Sequence, residues 1–102
     1  MNLLPRYVLD KLPALGETEN QSDPFVICKF FLVGSKWIWY ATEFDGSDLF
    51  FGYVAGDFPE LGYFRLSELA EVRGLFNLPI ERDLYFKPQK LSEIRKLHEV
   101  EV

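Results

Sequence analysis

Three carboxylates stand close together in the middle of the chain, at Glu43, Asp45 and Asp48. Clustered carboxylate oxygens are the ligands that hard cations such as Mg²⁺ and Ca²⁺ prefer. An aspartate followed by glycine, as in Asp45-Gly46, is also what a tight turn needs for backbone reasons. Three hypotheses are therefore open: a turn, which the local sequence favours, an acidic edge that faces a partner, and a metal site.

Other residue types that carry out catalysis are scarce. His98 is the single histidine, and it falls on a predicted C-terminal helix, where we expect a solvated residue rather than a general base. Cys28 lies in an apolar segment, which favours a buried structural thiol. Such a set lacks the ligands of a usual zinc site, and the glycines do not form a phosphate-binding loop. We predict no cofactor and lean away from an enzyme.

Aromatic side chains surround the acids. Residues 37–64 contain ten of the chain's 17 aromatic residues, five carboxylates and no lysine or arginine. Trp37 and Trp39 are predicted on one face of a strand and Tyr40 on the other. Core packing is the favoured interpretation, but exposed rings can also bind a protein or stack on bases. The candidate binding residues are Trp37, Trp39, Tyr40, Glu43, Asp45, Asp48, Asp57 and Glu60.

Charge is unevenly distributed along the chain. The net charge is −5, which weighs against nonspecific nucleic-acid binding and is compatible with a basic protein partner. Residues 87–98 are locally basic, with Lys87, Lys90, Arg95 and Lys96. Arg82, between Glu81 and Asp83, is predicted to form a local ion pair, with an anion site as the alternative.

The elements that position these residues follow from the apolar pattern. It predicts helices over 3–12, 67–73 and 91–99, strands over 25–33, 37–44, 49–55 and 60–65, and a short edge strand over 84–86 after an irregular link over 75–83. Ser67 is predicted to cap its helix, and Gly52 to mark a bulge or a site where an aromatic ring crosses the backbone. Leu91, Ile94 and Leu97 are predicted on the inner side of the last helix.

This order predicts an α+β fold in one globular domain over residues 1–102. Short turns favour an antiparallel meander sheet of about four to five strands, with short helices at the N-terminus, after the fourth strand and at the C-terminus. We expect the helices to cover one face. No apolar run approaches the length of a membrane span, and the N-terminus lacks the pattern of a signal peptide. With one cysteine, these features predict a cytoplasmic protein.

Several motifs together resemble a known family. They are LLP and LPAL at residues 3–5 and 12–15, W-x-WYATEFDG-x-DLFFG at 37–52, ELGYF-x-LSEL at 60–69 and LP-x-ERD-L-x-F-x-P at 78–88. In these motifs the chain is similar to the bacterial domain-of-unknown-function family 2958. The resemblance implies a small, stand-alone protein, often carried on plasmids and other mobile DNA. It implies no established activity and no catalytic residues.

The leading hypothesis is a noncatalytic accessory protein of mobile DNA that binds a protein through the acidic, aromatic-rich hairpins of residues 37–64. A basic nucleic-acid-processing protein is one such partner, and in one version the acids mimic DNA phosphates. The second hypothesis is single-stranded nucleic-acid binding through sheet aromatics and the basic C-terminal segment. The third is a carboxylate-based or metal-dependent enzyme at Glu43, Asp45 and Asp48.

Overall fold

In a computed structural model, which describes residues 1–99, five strands form one antiparallel sheet. Their order across the sheet is β5 (Glu60–Arg65), β4 (Leu49–Ala55), β3 (Ile38–Phe44), β2 (Cys28–Leu32) and β6 (Ile80–Arg82). A second, two-stranded sheet pairs β1 (Phe25–Val26) with β7 (Gln89–Lys90). The predicted α+β class and antiparallel sheet are therefore confirmed.

Short helices occupy the predicted positions. They are α1 (Arg6–Leu9), α2 (Leu66–Glu71) and α3 (Leu91–His98), and a 3-10 turn covers Leu75–Asn77. The first helix is shorter than predicted, because the N–H groups of Lys11 and Leu12 bond three residues back, to Val8 and Leu9, instead of four. Within residues 1–99, no helix has the length and hydrophobicity needed to cross a membrane.

The sheet has a hydrophobic core on each face, because neighbouring residues of a strand point in opposite directions. One core, covered by α1 and α2, includes Val8, Phe30, Ala41, Phe44, Phe50, Phe64 and Leu69. The other, covered by α3, includes Val26, Tyr40, Tyr53, Ala55, Leu91 and Ile94. We call these the α1/α2 face and the α3 face. The expectation that all helices cover one face is wrong, since α3 packs opposite the other two.

Two helices begin with the same Leu-Ser-Glu sequence, and a distant aspartate holds the start of each. Asp48 accepts hydrogen bonds from the N–H and Oγ of Ser67, at 2.8 and 2.7 Å. Asp23 does the same for Ser92, at 2.8 and 2.7 Å. A carboxylate is favourable there because helix N-termini carry partial positive charge. The predicted N-cap role of Ser67 is wrong, since Arg65 is the cap residue and Asp48 supplies the acceptor.

Three smaller predictions also need correction. The strand predicted over 25–33 breaks at Ile27, because its first two residues pair with β7. The short strand lies at Ile80–Arg82, inside the predicted irregular link, and residues 84–86 form none. Three-residue strands are too short for alternation to reveal them. Leu97, predicted to face inward, is 70% exposed on α3.

Candidate functional site

Glu43 is the candidate carboxylate that lies deepest in the fold. Its side chain is 4% exposed on the α3 face of β3. One carboxylate oxygen accepts the N–H of Gly16 at 2.7 Å, and the other accepts both the N–H of Thr18, at 2.9 Å, and the Thr18 hydroxyl. Burial acts to raise the pKa of Glu43, but these hydrogen bonds outweigh it and lower that pKa below its ordinary value. Glu43 therefore ties the connection over residues 14–24 to the sheet.

The other four candidate acids lie at the two ends of β4. Asp45 accepts three backbone N–H bonds within its own turn, at 2.8, 2.8 and 3.0 Å, which confirms the turn interpretation. Asp48 is engaged by Ser67, and Asp57 pairs with Lys36 at 2.6 Å. The seven residues of β4 lie between Asp48 and Asp57 and, at the rise of an extended strand, separate them by about 20 Å or more.

The acids therefore form neither a metal centre nor a continuous acidic row. Among residues 1–99, no three histidine, cysteine, aspartate or glutamate side chains stand close enough to hold a metal ion. Glu60 is exposed near the start of β5, at the same end as Asp57. Whether any of these acids contacts a partner stays a prediction.

The two tryptophans pack on each other at one end of the α1/α2 face. The rings of Trp37 and Trp39 are 5.9 Å apart and nearly parallel, and both are half-buried. Trp37 covers Gly56 so closely that a Cβ there would lie 2.2 Å from the ring. Tyr40 is buried on the α3 face, as the alternation predicts. Arg95 and Lys96 belong to α3, so stacked aromatics and basic residues do not share one surface.

His98 is half-buried, so the expectation of a solvated residue is wrong. Its Nε2 lies 2.7 Å from the hydroxyl of Tyr40, and the two rings meet edge to face at 5.4 Å. Burial raises the pKa of Tyr40 to about 12. Burial, with the nearby Lys29, lowers the pKa of His98. Because Tyr40 is 1% exposed, this pair fastens α3 to the sheet and offers no substrate access.

We predict that acid weakens the attachment of α3. In the unfolded chain His98 has its ordinary pKa of 6.5, and in the folded protein the pKa is lower. The unfolded state therefore binds the proton first as the pH falls, and stability declines below about pH 6.5. Urea unfolding between about pH 7.5 and pH 5.5 should show this decline in the wild type and not in His98→Gln. An equal decline in both proteins would contradict it.

A cleft of about 450 Å³ remains open on the α3 face. Thr42, Glu43 and Phe51 form its floor, Leu61 and Tyr63 of β5 one wall, and the connection over residues 14–24 together with α3 the other. Its volume lies in the range of ligand-binding sites. Among the predicted site residues, the structure places only Glu43 at this cleft.

The wall of the cleft is apolar and lies at the edge of the sheet. Tyr63 is 64% exposed and Leu61 44% exposed, and both stand on β5, which pairs with β4 alone within the described sheet. The ring of Tyr63 meets that of Phe51 edge to face at 4.9 Å. Exposed apolar side chains beside an unpaired strand edge are typical of surfaces that bind another chain.

The cleft carries a net negative charge. Glu43 is ionised at neutral pH, because its pKa is lowered. Glu19, exposed at the rim, forms no ion pair with any residue in the described range 1–99. Arg95 is the one cation in the lining, and it forms an ion pair with Glu99. The Arg95 Nε lies 2.7 Å from a carboxylate oxygen of Glu99. Carboxylates beside an exposed aromatic ring suit a cationic group.

Sequence reasoning singled out Glu43 and missed Glu19, Leu61 and Tyr63. The alternation in ELGYF did contain a signal, since it places Leu61 and Tyr63 on one face of a strand. Their exposure depends on α3, which covers the inner strands of that face and leaves β5 bare. The packing position of a helix is not visible in the strand's own sequence.

A larger concavity, about 550 Å³, lies on the α1/α2 face between the N-terminus and α2. Most of its lining residues are apolar, including Leu4, Leu66 and Phe44. The guanidinium of Arg73, its one charged side chain, donates to the carbonyls of Ala70 and Val72. Among residues 1–99, this concavity has no carboxylate and no residue of the edge strand β5 in its lining, whereas the cleft has both, so we regard the cleft as the candidate site.

The fold and the cleft define a small α+β protein with a sheet covered on both faces and an open cleft beside one edge strand. The chain belongs to the family described as Protein of unknown function (DUF2958), whose model matches residues 3–99. The predicted family resemblance is thereby confirmed. Comparisons with curated proteins and with solved structures gave no match. The family description names no activity, and the association with mobile DNA stays a prediction.

Proposed function

We propose that this protein is a noncatalytic binding protein that holds an extended, basic segment of a partner protein in the cleft beside β5. The observation that carries the proposal is the exposure of Tyr63 and Leu61 on an edge strand, in the same cleft as the buried carboxylate of Glu43. An extended segment can pair with a strand edge through its backbone while its side chains enter neighbouring pockets.

Charge and shape together favour a lysine or arginine side chain as the group that enters the cleft. The alkyl stem of such a side chain packs against Tyr63 and Leu61, and its charged end reaches toward Glu19 and Glu43. The net charge of −5 attracts a basic partner over longer distances and makes association faster at low salt.

This proposal keeps the basic protein partner of the sequence hypothesis and moves its binding surface. A DNA-mimicking row is not carried forward, because Glu43 is internal and the remaining acids lie at opposite ends of β4. A basic nucleic-acid-processing protein remains the partner class we propose for this cytoplasmic accessory protein of mobile DNA, since such proteins have basic segments.

Binding to designed peptides tests the proposal directly. The probe is an extended peptide with lysine or arginine at alternate positions, compared with a peptide in which glutamate replaces each basic residue. We expect the basic peptide to quench or shift signals of Tyr63 and to protect β5 backbone amides from hydrogen exchange. Replacing Tyr63 by Ser should weaken its binding roughly tenfold or more, because aromatic anchors dominate such contacts.

Tyr85→Ser is the matched control, since Tyr85 is 91% exposed and lies outside the cleft. It should bind the basic peptide as the wild type does, and Glu19→Gln should reduce the salt dependence of binding. Equal binding of the basic and acidic peptides, or equal losses in Tyr63→Ser and Tyr85→Ser, would overturn the proposal.

A further inference from the structure

Arg82 is a buried arginine without a carboxylate partner among the described residues. It is 8% exposed, and its side chain lies on the α1/α2 face of β6, opposite Phe30 in β2. The ion pair predicted within Glu81-Arg82-Asp83 is wrong, because strand alternation directs both neighbours to the other face, where Asp83 lies 3.7 Å from Lys29.

The guanidinium of Arg82 has hydrogen-bond donors without an acceptor in the described part of the chain. One nitrogen, Nη2, donates to the hydroxyl of Tyr7 at 3.2 Å, and the Tyr7 ring lies 5.5 Å from the guanidinium carbon. The Nε–H is buried and has no hydrogen-bond partner in residues 1–99. A guanidinium is always charged and has only donors, so an acceptor must satisfy it. Leaving such a group unpaired is costly in a protein interior.

The Arg82 side chain lines part of a small cavity. Its volume is about 80 Å³, and it is lined by Tyr7, Lys11, Cys28, Arg82 and Asp83, among others. Lys11 is exposed and forms no ion pair within the described range, so two positive groups border the cavity. Asp83 opposes them, but its carboxylate is engaged by Lys29 and by the N–H of Tyr85.

The cavity is polar, reachable and of restricted size. Burial raises the pKa of the Cys28 thiol to about 12, so at neutral pH this wall adds no negative charge. Two of the cavity's lining residues, Tyr7 and Lys11, are exposed to solvent. A space of this volume holds two or three water molecules at roughly 30 Å³ each, or the head of one small oxyanion.

We propose that this cavity binds an oxyanion, a phosphate or carboxylate group, through the guanidinium of Arg82, with Lys11 at the rim. The guanidinium edge matches two oxygens of such a group, and the hydroxyl of Tyr7 orients the guanidinium from the other side. The site lies at the β6 edge of the sheet and shares no lining residue with the cleft beside β5.

Nuclear magnetic resonance of the Arg82 Nε–H in the full chain tests this site. Sodium phosphate, sodium acetate and sodium chloride are titrated at constant ionic strength. We expect a saturable shift with phosphate or acetate and none with chloride. Saturation with phosphate alone identifies a free tetrahedral oxyanion, and saturation with acetate as well indicates a carboxylate, including one at the end of a peptide. Either result supports the proposal.

Variants at the rim keep the test independent of folding. Lys11→Gln removes an exposed charge and should weaken binding of the saturating anion roughly tenfold. The matched control is Lys96→Gln, on α3, which should leave that affinity unchanged. No shift with either oxyanion, the same shift with chloride, or equal affinity in Lys11→Gln and Lys96→Gln would overturn the proposal.

Discussion

Gly52→Ala is expected to destabilise the protein by about 3 kcal/mol or more, a large part of the stability of a domain this size. A Cβ at Gly52 would lie 1.8 Å from the carbonyl oxygen of Tyr40 and 2.9 Å from its carbonyl carbon. These are backbone atoms of the neighbouring strand, so no side-chain rotation relieves the clash. Strands β3 and β4 would have to separate within the buried part of the sheet. Urea unfolding followed by circular dichroism measures the loss.

Gly62 offers a matched control in the same sheet. It pairs directly with Gly52 across β4 and β5, and no atom lies within 4 Å of its ideal Cβ position. Gly62→Ala should therefore leave stability unchanged or raise it by about 0.5 kcal/mol, because alanine loses less backbone entropy in a strand. Similar losses of stability in both variants would show that the close approach of the Tyr40 carbonyl is not the reason for a glycine at position 52.

Gly52 also shows what the sequence could predict and what it could not. A glycine inside an apolar strand predicted either a bulge or an aromatic ring across the backbone; a bulge is present nearby, and the prediction of a ring at Gly52 is wrong. The bulge lies in the opposite strand, between Ala41 and Glu43, and the close neighbour is the Tyr40 carbonyl rather than an aromatic ring. A ring does cross a glycine, but at Gly56 under Trp37. The local sequence indicates that the backbone at Gly52 is closely packed. Strand pairing determines which neighbouring atom lies against it.

The helices and strands also differ in how far the sequence alone predicts them. Strands over 49–55 and 60–65 were predictable to the residue, because turn residues and apolar runs mark their ends. The face of the sheet that α3 covers was not predictable from the sequence, since Leu91 and Ile94 can pack against either side. The cleft depends on that choice, and so do the burial of His98 and the exposure of Tyr63. Sites made by long-range packing carry little local signal.

Glu43→Ala is expected to cost about 3 kcal/mol near neutral pH, because it leaves the N–H groups of Gly16 and Thr18 without their charged acceptor. Glu43→Gln keeps the shape and one acceptor oxygen, so it should lose about half as much. The connection over residues 14–24 should loosen in both variants. Glu60→Gln, an exposed glutamate on β5, is the control and should change stability little.

The pH dependence of this loss distinguishes charge from packing. The pKa of Glu43 is below its ordinary value of 4.5 in the folded protein, so its contribution is complete above 4.5 and disappears as the pH falls through the lower, folded value. The stability gap between wild type and Glu43→Gln should therefore narrow in acid, as measured by urea midpoints. A gap that stays constant would show that Glu43 acts through shape alone. Because Glu43 also forms the floor of the cleft, a Glu43→Gln protein that remains folded should bind the basic peptide less tightly than the wild type does.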